Sequence, residues 1–156
     1  MAEGEAARLV AWDLELREAH ARLRRALTAA REAVVAGAEP SGPAVDPLLY
    51  CHGFCVALDG HHRGEDDALF PAMLAADPDL AGVVELLKQD HSMIAHLLGG
   101  LREALAAGAP SAELDRHLEG IAAIMESHFG YEERALLPAL AALRLDADPS
   151  GALGPL

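Results

Sequence analysis

HHRGEDDALFPAM at residues 61–73 and HFGYEERALLPAL at residues 128–140 decide how this chain folds. Aligned without a gap, they share His61/His128, Glu65/Glu132, Ala68/Ala135, Leu69/Leu136, Pro71/Pro138 and Ala72/Ala139. Each copy is a histidine, a glutamate four residues later, and an apolar run into proline. Positions i and i+4 of a helix lie on one face, a turn apart. Each copy therefore presents an imidazole beside a carboxylate, which is a chelating pair. Duplication of such a pair suggests two metal ions or one shared centre.

Outward from these copies the sequence predicts four helices. The first spans 5–36, with the stripe Leu9, Trp12, Leu16, His20, Leu23, Leu27, Ala30 and Val34 in steps of three and four. A Gly- and Pro-rich loop follows at 37–46. Asp46-Pro47 is a helix cap with proline in the first turn. It opens a second helix to about residue 70, where Pro71 ends or kinks it. The inner stripe there is Cys51, Phe54, Leu58, His61 and Glu65. Asp77-Pro78 repeats the cap signal and opens a third helix, 78–107, with Leu80, Val84, Leu87, His91, Ile94, Leu98, Leu101 and Leu105 inward. Ser111 is the expected cap of a fourth, 111–144, with Leu114, Leu118, Ile121, Met125, His128, Glu132, Leu136 and Ala139 inward and a kink at Pro138. Residues 146–156 show no periodic face and read as a flexible tail beyond a 1–145 domain.

Hydrophobic residues make up 52% of the chain and aromatic ones only 4%, so the core must be built from Leu, Ala, Val and Ile. That suits close-packed helices, and the fold class expected is all-α, an antiparallel up-down-up-down four-helix bundle. A net charge of −13 argues against nucleic acid, whose phosphates need a basic surface, and favours cations. No apolar run approaches the roughly 18–20 residues of a membrane span. The opening MAEGEAARLV lacks a secretory pattern, so a soluble cytoplasmic protein without membrane contact is expected. Cys51 and Cys55, four apart, point the same way on a helix. That is poor geometry for a disulfide, and free thiols in the core are expected.

His20 and His91 each occupy a stripe position in mid-helix, whereas His96 falls off the stripe. With the two His/Glu pairs they place six polar groups in one slab of the core, which is very unfavourable unless a metal compensates. The first hairpin supplies His20, His61 and Glu65, the second His91, His128 and Glu132. Two equivalent half-sites fit two metal ions, with Glu65 and Glu132 as bridges. Nitrogen and oxygen donors without thiolate favour iron, then manganese, with zinc as the alternative.

The order His20, His61-x3-Glu65, His91, His128-x3-Glu132, with GEDDALFPAM and YEERALLPAL around the paired positions, resembles the hemerythrin-like (HHE cation-binding) domains over residues 10–145. The resemblance implies a four-helix bundle around a non-haem diiron centre. It implies His20, His61, His91 and His128 as terminal ligands and Glu65 and Glu132 as bridges. Oxygen-carrying hemerythrins have a second histidine one turn after the first on the third helix. Ala95 stands there in this chain. Water, His62 or Tyr131 could fill the gap. Tyr131 could face the centre or pack behind it, and His62, roughly 100° round from His61, reads as lying on the bundle flank. A site one ligand short fits binding of, or reaction with, oxygen, peroxide or nitric oxide. The alternatives are a diiron enzyme with catalase-like or ferroxidase activity and a structural zinc module. No protein partner is legible.

Overall fold

A computed structural model of the chain describes residues 10–37 and 46–154. The expected start of the first helix at residue 5 and most of the 37–46 loop lie outside that range. Helix α1 is Trp12–Gly37 and α2 is Pro47–Gly64. A π-helical turn, Glu65–Leu69, joins α2 to α3, Phe70–Ala76. A 3-10 turn, Pro78–Leu80, leads into α4, Ala81–Ala106, followed by α5, Ser111–Ala142, and a short α6, Pro149–Leu153. Among the described residues there are no strands, and no helix is long and apolar enough to cross a membrane.

The local sequence explains most of these boundaries. The Asp46 carboxylate accepts from the Leu48 N–H at 3.0 Å, and Asp77 accepts from Asp79 at 3.1 Å. Each satisfies an N–H that a helix start leaves without an intrahelical partner, and proline follows because its missing N–H costs nothing there. Ser111 does not cap α5. Pro110 takes that position in extended backbone without a side-chain bond, and Ser111 is the first helical residue.

Pro71 does not end its helix either. Its ring crowds the preceding turn and it lacks an N–H, but the turn before it has widened, with the Phe70 N–H donating to the Glu65 carbonyl. The helix then continues to Ala76. Pro138 is likewise carried inside α5.

Helix α1 packs on α2 and α5, and α4 packs on α5 and α2. Contacts along each pair fix the sense of the chains. His20 meets Glu132 and Glu133, Arg24 meets Glu126, and Arg31 meets Asp115, so α5 descends as α1 ascends. Asp90 meets His128 while Gly100 lies beside His117, which sets α4 against α5. Asp66 meets His91 and Cys55 lies beside Arg102, which sets α2 against α4. His20 meets His61 and Gly37 lies against Pro47, which sets α1 against α2. Every neighbouring pair is antiparallel, as the up-down-up-down reading requires.

The apolar core is in two parts. One holds Leu23, Leu27, Phe54, Leu58, Ile94, Leu98, Leu118, Met125 and Phe129. The other holds Trp12, Leu16, Leu69, Phe70, Met73, Leu87, Leu136 and Leu140. In sequence along α1, along α4, along α5 and from α2 through the π turn into α3, the buried polar residues lie where the chain passes from one set to the other, so the bundle has a polar waist. Cys51 and Cys55 are free and buried in the first set, and burial pushes the Cys51 thiol up to about 11.

The reading of 146–156 as a flexible tail needs correcting for the residues described, up to Gly154. Asp148-Pro149 caps α6 in the way that Asp46-Pro47 caps α2, with Asp148 accepting from the Ser150 N–H at 3.0 Å. Ala152 and Leu153 are buried in the second core set. The Trp12 indole donates to the Leu145 carbonyl at 3.0 Å. A five-residue helix is too short to show a period, which is why no stripe was visible.

Candidate metal centre

At the waist, His20 from α1, His61 and His62 from α2, His91 from α4 and His128 from α5 meet Glu65 and Glu132, all buried. Glu65 opens the π turn and Glu132 lies within α5. The carboxylates stand between the imidazoles. Glu65 Oε1 is 3.3 Å from His61 Nε2 and 3.4 Å from His91 Nε2. Glu132 Oε1 is 3.4 Å from His20 Nε2, and its Oε2 is 3.3 Å from His128 Nε2. Each glutamate thus touches one histidine from the first hairpin and one from the second.

The outer ring nitrogens are held from behind. His20 Nδ1 pairs with Glu133 at 3.2 Å, His91 Nδ1 with Asp66 at 2.8 Å, and His128 Nδ1 with Asp90 at 2.9 Å. His61 Nδ1 donates to the Leu153 carbonyl at 2.7 Å. A carbonyl accepts only, so His61 must carry its proton on Nδ1, which leaves the Nε2 lone pair facing Glu65. Burial holds His61 down to about 3, so the ring is neutral at ordinary pH. Burial likewise lowers His62 and His91. His128 is the exception: burial pushes it down, but the Glu132 and Asp90 carboxylates outweigh that and raise it. Burial and the Glu132 charge push Glu65 well above the usual carboxylate range. Burial pushes Glu132 the same way, but nearby Glu65, His128 and His20 prevail and hold it low.

The inward atoms have nothing to bond to. The Nε2 atoms of His20, His61, His62, His91 and His128, and both carboxylate oxygens of Glu65 and of Glu132, lack a hydrogen-bond partner. The His61 Nε2 lone pair faces a Glu65 oxygen at 3.3 Å with no hydrogen bond between them. Buried polar atoms are ordinarily satisfied, and a cation is what satisfies lone pairs of this kind. The donors fall into two groups, His62/Glu65/His91/His128 and His20/His61/Glu132, each with its ligand atoms within 4.8 Å of one another. The residues present therefore fit a metal ion in each group.

The reading of His62 as a flank residue is overturned. His62 is 5% exposed and stacks on His91 with ring centroids 3.9 Å apart. The inward face of a core helix is a wedge of about 100° or more, not a line. His61 and His62 straddle that wedge. His61 turns to His20 on α1, at 5.3 Å, and His62 turns to His91 and His128. Tyr131 is only partly buried, belongs to the apolar set around Trp12, and stands outside both donor groups. Ala95 and His96 are exposed.

The residues behind the rings did carry a sequence signal. In both copies an acid follows the paired glutamate, Asp66 after Glu65 and Glu133 after Glu132. The first acid faces the waist, and the second holds the histidine of a neighbouring helix, His91 or His20. The position after the paired histidine is also equivalent in the two copies. His62 stacks on His91, and Phe129 stacks on His20 at 3.8 Å. One half of the waist thus gains a nitrogen donor where the other gains an apolar ring.

The family model of the hemerythrin HHE cation binding domain matches residues 14–140. No curated protein and no solved structure matches the chain.

Proposed function

The chain belongs to the hemerythrin HHE cation-binding family, and from that premise we propose that its waist holds two iron ions and binds or reacts with a small oxidant: oxygen, peroxide or nitric oxide. The observation that carries this reading is the set of unpartnered inward atoms, five imidazole nitrogens and four carboxylate oxygens. That is more than the roughly six positions of one octahedral ion. The donors are nitrogen and oxygen without thiolate, which suits iron and then manganese ahead of a closed zinc site. His62, His91 and His128 would hold one ion and His20 and His61 the other. Glu65 and Glu132, each touching a histidine of both halves, would bridge. Bound iron would supply redox chemistry and Lewis acidity toward the oxidant.

The protein's own groups set the conditions. The partners at Nδ1 hold the rings so that the Nε2 lone pairs face inward. Burial and the Glu132 charge raise Glu65, so metal bound there would favour its ionised form. The His20–His61 side has one imidazole fewer, so it is the side with positions for a small molecule. Phe129 stacks on His20 and gives that side an apolar wall. Ala95, where an oxygen carrier has its extra histidine, lines a cavity with His62, Asp66 and His91, and in this reading His62 supplies the donor from the neighbouring α2.

The test is metal analysis of the purified protein, followed by addition of hydrogen peroxide under an oxygen electrode. The expected result is about two iron ions per chain, with bridged-iron absorption that the oxidant alters. Colourless protein with a single zinc would overturn the reading. Rapid oxygen release would assign catalase-like turnover, and a stable oxygenated spectrum in air would assign reversible binding.

A further inference from the structure

We propose that residues 143–154 form a strap whose Leu153 carbonyl positions His61, so that metal on the His20–His61 side is held firmly only while the strap is docked. The inference rests on the metal reading above for its second half and on geometry alone for its first. Three of the four Nδ1 contacts come from carboxylates built into the bundle: Glu133, Asp66 and Asp90. The fourth, at His61, comes from a backbone carbonyl beyond the last long helix. Without it, the His61 ring is free to turn and to carry its proton on either nitrogen, and only one tautomer leaves Nε2 open to metal.

The strap is seated by two glycines, one on each side of the contact. A Cβ on Gly64 of α2 would lie 2.8 Å from the backbone carbon and oxygen of Ala152. A Cβ on Gly154 would lie 2.9 Å from the His61 nitrogen, and Gly154 has a φ of +94°, which other residues rarely adopt. In both cases the obstruction is backbone, which cannot swing aside. No larger residue at either place would let the Leu153 carbonyl come within 2.7 Å of His61. In the second copy Tyr131 stands at the position of Gly64, and His128 takes its Nδ1 contact from Asp90 instead. The other end of the strap is pinned at Leu145 by Trp12, the chain's single tryptophan. Docking therefore has a built-in fluorescent reporter.

The test uses the full chain with Gly64→Ala, Gly154→Ala and, as control, Gly151→Ala, whose added Cβ meets nothing within 4 Å. The readouts are Trp12 emission, the exchange-protected His61 Nδ1–H signal by NMR in metal-free protein, and anaerobic ferrous iron titration. Both strap variants should keep their helical circular dichroism, shift Trp12 emission to the red and lose the His61 signal. They should bind one of the two ions about 10–100-fold more weakly, the usual effect of removing a group that orients a ligand. The control should match the parent. Unshifted Trp12 emission in both variants overturns the docking, and retained affinity for both ions despite a shift overturns the link to metal. Should the parent take up no iron, the metal reading fails by itself. The His61 signal still decides positioning: loss in the variants sustains it, persistence overturns it. Gly154→Ala decides alone if Gly64→Ala does not fold.

Discussion

Stripping the metal from this protein should cost it much of its stability, and the amount can be bounded from the waist. Nine buried donor atoms there have no partner within the chain. An unsatisfied buried polar atom costs about 1–3 kcal/mol, so nine cost on the order of 9–27 kcal/mol. A domain of this size has a net stability of about 5–15 kcal/mol. The metal-free chain cannot carry the full penalty and must relieve it, by admitting water or by sharing protons between Glu65 and Glu132. Even a third of the lower figure, about 3 kcal/mol, lowers Tm by about 6–12 °C at about 2–4 °C per kcal/mol. Differential scanning calorimetry of protein as isolated and after chelation, at matched pH and concentration, measures the difference. Equal melting within about 2 °C, with the metal shown to be present and then absent, would refute the argument from unpartnered donors.

Other consequences are as direct. In metal-free protein His61, His62 and His91 have lowered pKa values, so the unfolded chain binds more protons than the folded one below 6.5. Their contribution is thus present above 6.5 and lost as pH falls toward about 3, where His61 titrates; chemical denaturation across that range checks the sign. His128, raised above 6.5, works the other way and should make iron affinity fall first as acid protonates it, measurable by titration at successive pH values. His62→Phe copies the second repeat onto the first and should lower affinity at one ion only, whereas Phe129→His should tighten the other and reduce access of added azide. Asp90→Asn keeps the shape but removes the charge behind His128, and should weaken metal binding about 10-fold or more without changing the fold.

The sequence carried the bundle because long helices announce themselves by period. The expected stripes of α1, α4 and α5 match the buried faces nearly residue for residue. What escaped was anything that depended on width or on short range. His62 escaped because a wedge was read as a line. The π turn that carries the helix past Pro71 escaped because such a turn has no signature of its own in residue types. The C-terminal strap escaped because five residues and one carbonyl leave no pattern, although the Asp148-Pro149 cap was the same signal already read at Asp46 and Asp77. Two of the carboxylates behind the rings, Asp66 and Glu133, were repeated at the same place in the two copies. They were legible only to a reader asking what holds a ligand as well as what the ligand holds.

The polar waist also inverts the usual order of motion along a helix. Helices ordinarily fray at their ends, while amides in the middle exchange slowest. Here the middle turns of α1, α4 and α5, and the junction of α2 with the π turn, carry the unpartnered groups, and the two apolar sets grip the bundle on either side. In metal-free protein the amides around His20, His61, His91 and His128 should open first, with the flanks still closed. The chain then behaves as two small cores sharing four helices, and the metal is the rivet that makes them one cooperative unit.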